Sequence, residues 1–115
     1  MELVRNALTI DVEDWYHDES RGSGPATEDE IAVHGPRVEK NLFTMLEILE
    51  DNGARATLFC LASLARKHPR LLREAHGRGH EIASHGLRHL PLGPRRPDDV
   101  RDDIRASRET LEDVV

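Results

Sequence analysis

Residues 56–61 read Ala56-Thr57-Leu58-Phe59-Cys60-Leu61, a continuous apolar run with a β-branched residue near its start and an aromatic in its middle. Such a short run, bounded by stop signals, reads as a strand covered on both faces, the kind that parallel sheets use. Just upstream, Asn52-Gly53 offers a glycine able to take the left-handed conformation that ends helices. Before that stop, Val38, Leu42, Met45, Leu46 and Leu49 follow Pro36 at helical spacing and predict an amphipathic helix. Further back, Asn6-Ala7-Leu8-Thr9-Ile10-Asp11-Val12 reads as a buried strand running into acidic residues. Downstream, the pattern predicts a short helical turn over 62–68 and a helix over 69–76 closed by Gly77 and Gly79. A third short strand follows at Glu81-Ile82-Ala83-Ser84, then a helix from Pro97 carrying Val100, Ile104, Ser107, Leu111 and Val114. Residues 18–35, with Gly22, Gly24, Pro25 and Gly35, predict a long exposed loop, and loops of that length are commonly functional. Strands alternating with helices imply βαβ units and a parallel sheet: an α/β chain of about three βα units within one domain over residues 1–115.

Composition narrows the function classes. The chain has 115 residues, 37% hydrophobic and 33% charged, with a net charge of −6. An acidic balance disfavours nucleic acid, whose backbone calls for clustered Lys and Arg. It also disfavours anionic membrane surfaces. No stretch approaches the ~20 apolar residues of a membrane span. No basic segment followed by an apolar one precedes the first strand, which fits a cytoplasmic location; a periplasmic or cell-envelope site stays open. The single cysteine, Cys60, excludes an internal disulfide and reads as a buried thiol. The basic clusters around Arg66 and at Arg95-Arg96 read as solvated helix edges. Seven histidines in so short a chain point to chemistry.

The polar outliers gather where strands end, as functional residues do in parallel sheets. Asp11, Glu13 and Asp14 follow the first strand, and on an extended chain Asp11 and Glu13 share a face. His85 and His89 follow the third. Four apart, they fall on one side if the segment turns helically, the spacing of a two-histidine metal site. His76 and His80 share that spacing but flank Gly77 and Gly79 and read as a loop pair. Two histidines and one carboxylate would leave a position for water, the catalytic pattern for zinc. A second carboxylate would then be free to take the water proton.

Leu8-Thr9-Ile10-Asp11-Val12-Glu13-Asp14-Trp15 resembles the first motif of polysaccharide deacetylases, the NodB-homology carbohydrate esterases of family 4. Gly79-His80-Glu81-Ile82-Ala83-Ser84-His85-Gly86-Leu87-Arg88-His89 resembles their second motif closely, and Ala54-Arg55-Ala56-Thr57-Leu58-Phe59 their second strand. The Asp-Val-Glu-Asp-Trp form is similar to branches linked to exopolysaccharide export and to peptidoglycan deacetylases and allantoinase-like enzymes. The resemblance implies a distorted (β/α) barrel and metal-dependent removal of N-acetyl groups from the amino sugars of a polysaccharide. Carried over, Asp11 is the base, and His85 and His89 bind a divalent metal, zinc foremost. The third ligand is Asp14 by the family's adjacent-acid pattern, with Glu13 as the alternative by the strand-face reading. Trp15 and Tyr16 stand where they can stack on sugar rings, with buried packing as the alternative reading. The family's later motifs, including the arginine that orients the base and the histidine that acts as acid, have no counterpart here. The chain therefore reads as the N-terminal part of a deacetylase domain, a partial barrel whose exposed sheet edges favour self-association. A non-catalytic metal- or glycan-binding fragment and an allantoinase-like cyclic amide hydrolase are the alternatives.

Overall fold

The computed structural model describes residues 5–17 and 23–115. The apolar run supplies the middle strand, Thr57–Cys60 (β2), of a three-stranded parallel sheet; Thr9–Val12 (β1) lies on one side and Glu81–Ser84 (β3) on the other. Asp11 pairs with Phe59 and Phe59 with Ala83, while Val12, Cys60 and Ser84 lie in register, so the three strands end level. The α/β architecture with a sheet that does not close matches the expected partial barrel.

Four helices follow the strands: Val38–Asp51 (α2), Ala62–Lys67 (α3), Pro69–Gly77 (α4) and Pro97–Val114 (α5), each close to its expected span. Side chains alternate across a strand, and Val12, Leu58 and Cys60 point into the core. There they meet Leu42, Leu46 and Leu49 of α2, Leu64 and Ala65 of α3, Leu71, Leu72 and Ala75 of α4, and Leu111 of α5. Cys60 is fully buried, and burial pushes its thiol up to about 12, which leaves it unreactive.

Two expectations need correction. β2 is covered on one face only: Leu58 and Cys60 are buried, whereas Thr57 and Phe59 are partly exposed. That second face carries Thr9, Asp11 and Glu81, all exposed, so the continuous apolar run overstates its burial. Nor is 18–35 a loop throughout. Residues 18–22 lie outside the described residues, but Glu28–His34 forms a helix (α1). Its start is a capping box in which Thr27 Oγ1 accepts the Glu30 N–H at 3.2 Å and Glu30 Oε2 accepts the Thr27 N–H at 2.8 Å. α1 buries no side chain, so no apolar periodicity marks it.

His80 is structural, as its loop context suggests. The residue is 4% exposed and its Nδ1 accepts the Ala56 N–H at 3.1 Å, fastening the start of β3 to the start of β2. Burial, helped by the Arg55 and Arg78 guanidiniums, lowers its pKa below the ordinary 6.5. The unfolded chain therefore takes up this proton more readily than the folded one. Stability from His80 is full above pH 6.5 and falls as pH drops below it. Urea unfolding between pH 7.5 and pH 5 should show that decline, and His80→Asn, which keeps an acceptor without a titrating proton, should flatten it. Equal slopes in the two proteins would rule the assignment out.

Candidate metal centre

The level strand ends set the geometry. Glu13 and His85 are the first residues beyond β1 and β3, which stand about 9–10 Å apart with β2 between them. Both therefore reach toward each other over the end of β2, where the chain turns at Leu61 into α3. Glu13 Oε2 lies 3.2 Å from His89 Nε2 and 3.9 Å from His85 Nδ1. One ligand atom from each of these three residues falls within 4.8 Å of the others. The two imidazoles meet edge to face, with centroids 5.2 Å apart.

The histidines converge without a helix. Residues 85–89 form an irregular segment with Gly86 at φ +87°, so the expected helical turn is replaced by a glycine turn. Three elements hold it. The His85 N–H donates to Cys60 O at 3.0 Å. The first amides of α3, Ala62 and Ser63, donate to Gly86 O and Leu87 O at 3.0 and 2.9 Å, which also satisfies a helix start lacking a side-chain cap. From α5, Asp103 Oδ2 accepts the Leu87 N–H at 2.8 Å, and Ser107 Oγ lies 2.6 Å from Ser84 Oγ, itself the acceptor for the Gly86 N–H.

Each acid near β1 has a distinct setting. Asp11 is exposed on the open sheet face and, with Glu13, lines a depression of about 160 Å³. Asp14, expected as the third ligand, is 3% exposed and turned away from the histidines, its carboxylate seated on the N-terminus of α2. Oδ1 accepts the N–H groups of Trp15 and Arg37 at 2.9 and 3.0 Å, and Oδ2 those of Arg37 and Val38 at 3.0 and 3.1 Å. The carboxylate brought to the imidazoles is that of Glu13, the alternative.

Beyond Asp14, Trp15–His17 forms a 3-10 turn. The Trp15 indole donates to Gly35 O at 2.9 Å and packs edge-on against Tyr16 and His34, tying β1 to the segment before α2. Tyr16 and His17 line a cleft of about 620 Å³ bordered by Ser63, Lys67, Arg88 and His89. A second cleft, about 370 Å³, opens on the other side of His89 toward α5. The His17 ring lies 6.3 Å from that of His89, and its Nδ1 accepts the Asp14 N–H at 2.9 Å, which leaves the ring proton on Nε2. Burial lowers its pKa, with the carboxylate of Glu13 opposing the shift. His17, Ser84, Asp103 and Ser107 were not singled out as parts of this centre by the sequence. The one local clue was the placement of His17 directly after the acidic cluster.

The donor set suits a divalent cation. Glu13 Oε2 and His85 Nδ1 are buried and have no hydrogen-bond partner among the described residues. Buried polar atoms are seldom left so. Tetrahedral zinc bonds of about 2.0–2.1 Å put neighbouring ligand atoms about 3.3 Å apart, close to the 3.2 and 3.9 Å separations here.

Among the described residues, no helix is long and apolar enough to cross a membrane. The chain is 32% identical over 94 residues to a peptidoglycan-N-acetylglucosamine deacetylase of Bacillus cereus, covering 77% of this chain and 33% of that protein. It is 30% identical over 60 residues to a chitooligosaccharide deacetylase of Bradyrhizobium, covering 52% of this chain and 27% of that one. The chain thus spans about a third or less of the curated relatives it matches. Its fold superposes on a CE4-family pseudoenzyme from Bacillus anthracis with a TM-score of 0.70 at 19% identity, over 95% of this chain and 31% of that one. The sequence profile of polysaccharide deacetylases matches residues 29–115, a span that holds both histidines of the centre, and the chain belongs to that family.

Proposed function

We propose that this chain carries the metal centre and the general base of a hydrolase that removes N-acetyl groups from the amino sugars of a polysaccharide. The observation that carries the reading is the pair of buried, unsatisfied atoms, Glu13 Oε2 and His85 Nδ1, set beside His89 Nε2. Glu13, His85 and His89 would hold zinc and leave one position open, as catalytic rather than structural sites do. Bound there, zinc supplies Lewis acidity toward an acetyl carbonyl and acidifies water. Asp14 is the less suited carboxylate because its oxygens already accept three amide N–H groups. Asp11 is outside the metal cluster, shares the Glu13 face and is exposed, which leaves it able to take a proton from water. The clefts flanking His89 give sugar units room on both sides, and Tyr16, braced by Trp15 at 5.8 Å, offers a ring to stack on. The names of both curated relatives point to N-acetylglucosamine polymers or oligomers as the substrate class.

Acetate release from N-acetylated chito-oligosaccharide tests the reading. Release is expected to stop on chelation, return with zinc, and be lost in Asp11→Asn while zinc binding persists. Tight zinc binding with no release would favour a non-catalytic binding role. Release indifferent to chelation would sink the metal-dependent mechanism.

A further inference from the structure

We propose that Asp103 of α5 is a positioning residue for the metal centre, its carboxylate fixing the turn that aims His85 and His89 at Glu13. The inference rests on the metal reading above.

The two histidines are four residues apart with Gly86, Leu87 and Arg88 between them, so the conformation of that turn sets how their rings meet. Metal ligands need placement within about 0.5 Å. Most of the turn's backbone bonds go to other backbone groups at the start of α3 and the end of β2. Asp103 is different. It reaches in from a helix sixteen residues along the chain and, with a charged carboxylate, accepts the N–H of the central residue, Leu87, at 2.8 Å. The bond is charge-assisted and shielded, since the Asp103 side chain is 10% exposed. The fit is close: a Cβ on Gly86 would stand 3.3 Å from Asp103 Oδ2, and Gly86 has the left-handed backbone that lets Leu87 present its N–H. The other oxygen, Oδ1, accepts Arg95 Nη2 at 3.2 Å, and the same Arg95 nitrogen donates to Asp99 O. The carboxylate is thereby held through both of its oxygens. Ser107, one helical turn further, meets Ser84 at the end of β3, so α5 grips the segment at two points.

Loss of such an outer partner typically weakens metal affinity about 10–100-fold. The test is a zinc titration against a competing chelator on the wild type, Asp103→Ala and Asp103→Asn, with the cobalt absorption spectrum of each. Hydrogen exchange of the Leu87 amide is measured in the metal-free proteins. Asp103→Ala should bind zinc about 10–100-fold more weakly, shift the cobalt bands and expose the Leu87 amide. Asp103→Asn, whose amide oxygen still accepts that N–H, should stay within about threefold of the wild type. A purely structural role predicts something else: both variants melt early while their folded fractions bind zinc normally, and that result overturns the proposal. So does an unprotected Leu87 amide in the wild type, which leaves the metal reading standing. A wild-type chain with a protected Leu87 amide but no zinc affinity would overturn the metal reading and, with it, a positioning role toward a metal.

Discussion

Glu13→Ala and His89→Ala are each expected to lower zinc affinity by more than about 100-fold, beyond what loss of an outer partner costs. Removing one of three protein ligands leaves a pair that cannot fix a tetrahedral ion, and the neighbouring carboxylate of Asp14 is already engaged on α2. The metal-free protein should respond in the opposite sense. Glu13 Oε2 is buried without a hydrogen bond, an arrangement that costs stability. Glu13→Ala should therefore leave the apo protein as stable as the wild type or more so. Zinc at about 100 times its Kd should stabilise the wild type by about 2.7 kcal/mol, an increment that should vanish in both variants. Calorimetric titration and thermal melts with and without zinc read both effects. An apo protein that unfolds early in Glu13→Ala, with zinc affinity of the folded fraction intact, would mean that Glu13 serves the fold rather than a metal.

That contrast shows where local pattern reaches and where it stops. The strands and α2 to α5 are legible because each signal is short-range: the apolar run at 56–61, the 3.6-residue stripe from Val38 to Leu49, and the glycine stops. α1 escaped because a helix that buries nothing leaves no stripe, although its Thr27-x-x-Glu30 box was readable. The choice between Glu13 and Asp14 turned on two local rules that disagree. Alternation along β1 puts Glu13 on the face of Asp11, whereas adjacency of acids in the family pattern favours Asp14. What separates the two carboxylates is a contact 23 and 24 residues away, with the amides of Arg37 and Val38. No window of sequence contains it. Asp103 was hidden differently, as one acid among several in a helix whose first turn already holds Asp98 and Asp99. Only the packing of α5 against the end of β3 distinguishes it.

Asp14→Ala should act on the fold as strongly as Glu13→Ala acts on the metal. α2 begins at Val38 behind Arg37, which makes no side-chain cap. Its free amides are met instead by the Asp14 carboxylate, where the positive end of the helix dipole favours a negative charge. Alanine would strand the Arg37 and Val38 N–H groups, the latter in a buried bond, and remove the link between β1 and α2. Loss of a cap costs about 0.5–2 kcal/mol, and hydrogen bonds to a charged group about 1.5–3 kcal/mol each. With partial overlap between the two, a loss of about 2–4 kcal/mol is expected, a large share of the 5–15 kcal/mol typical of a domain. The melting temperature should fall by about 10–20 °C. Asp14→Asn, keeping one acceptor oxygen but turning an NH₂ toward the helix amides, should fall in between. Zinc affinity measured on the folded fraction should change far less than in Glu13→Ala, because the Asp14 oxygens do not face the imidazoles. A melt of Asp14→Ala within about 3 °C of the wild type, less than 1 kcal/mol, would show that α2 needs no such cap. Asp14 would then be free for the metal role that adjacency to Glu13 first suggested.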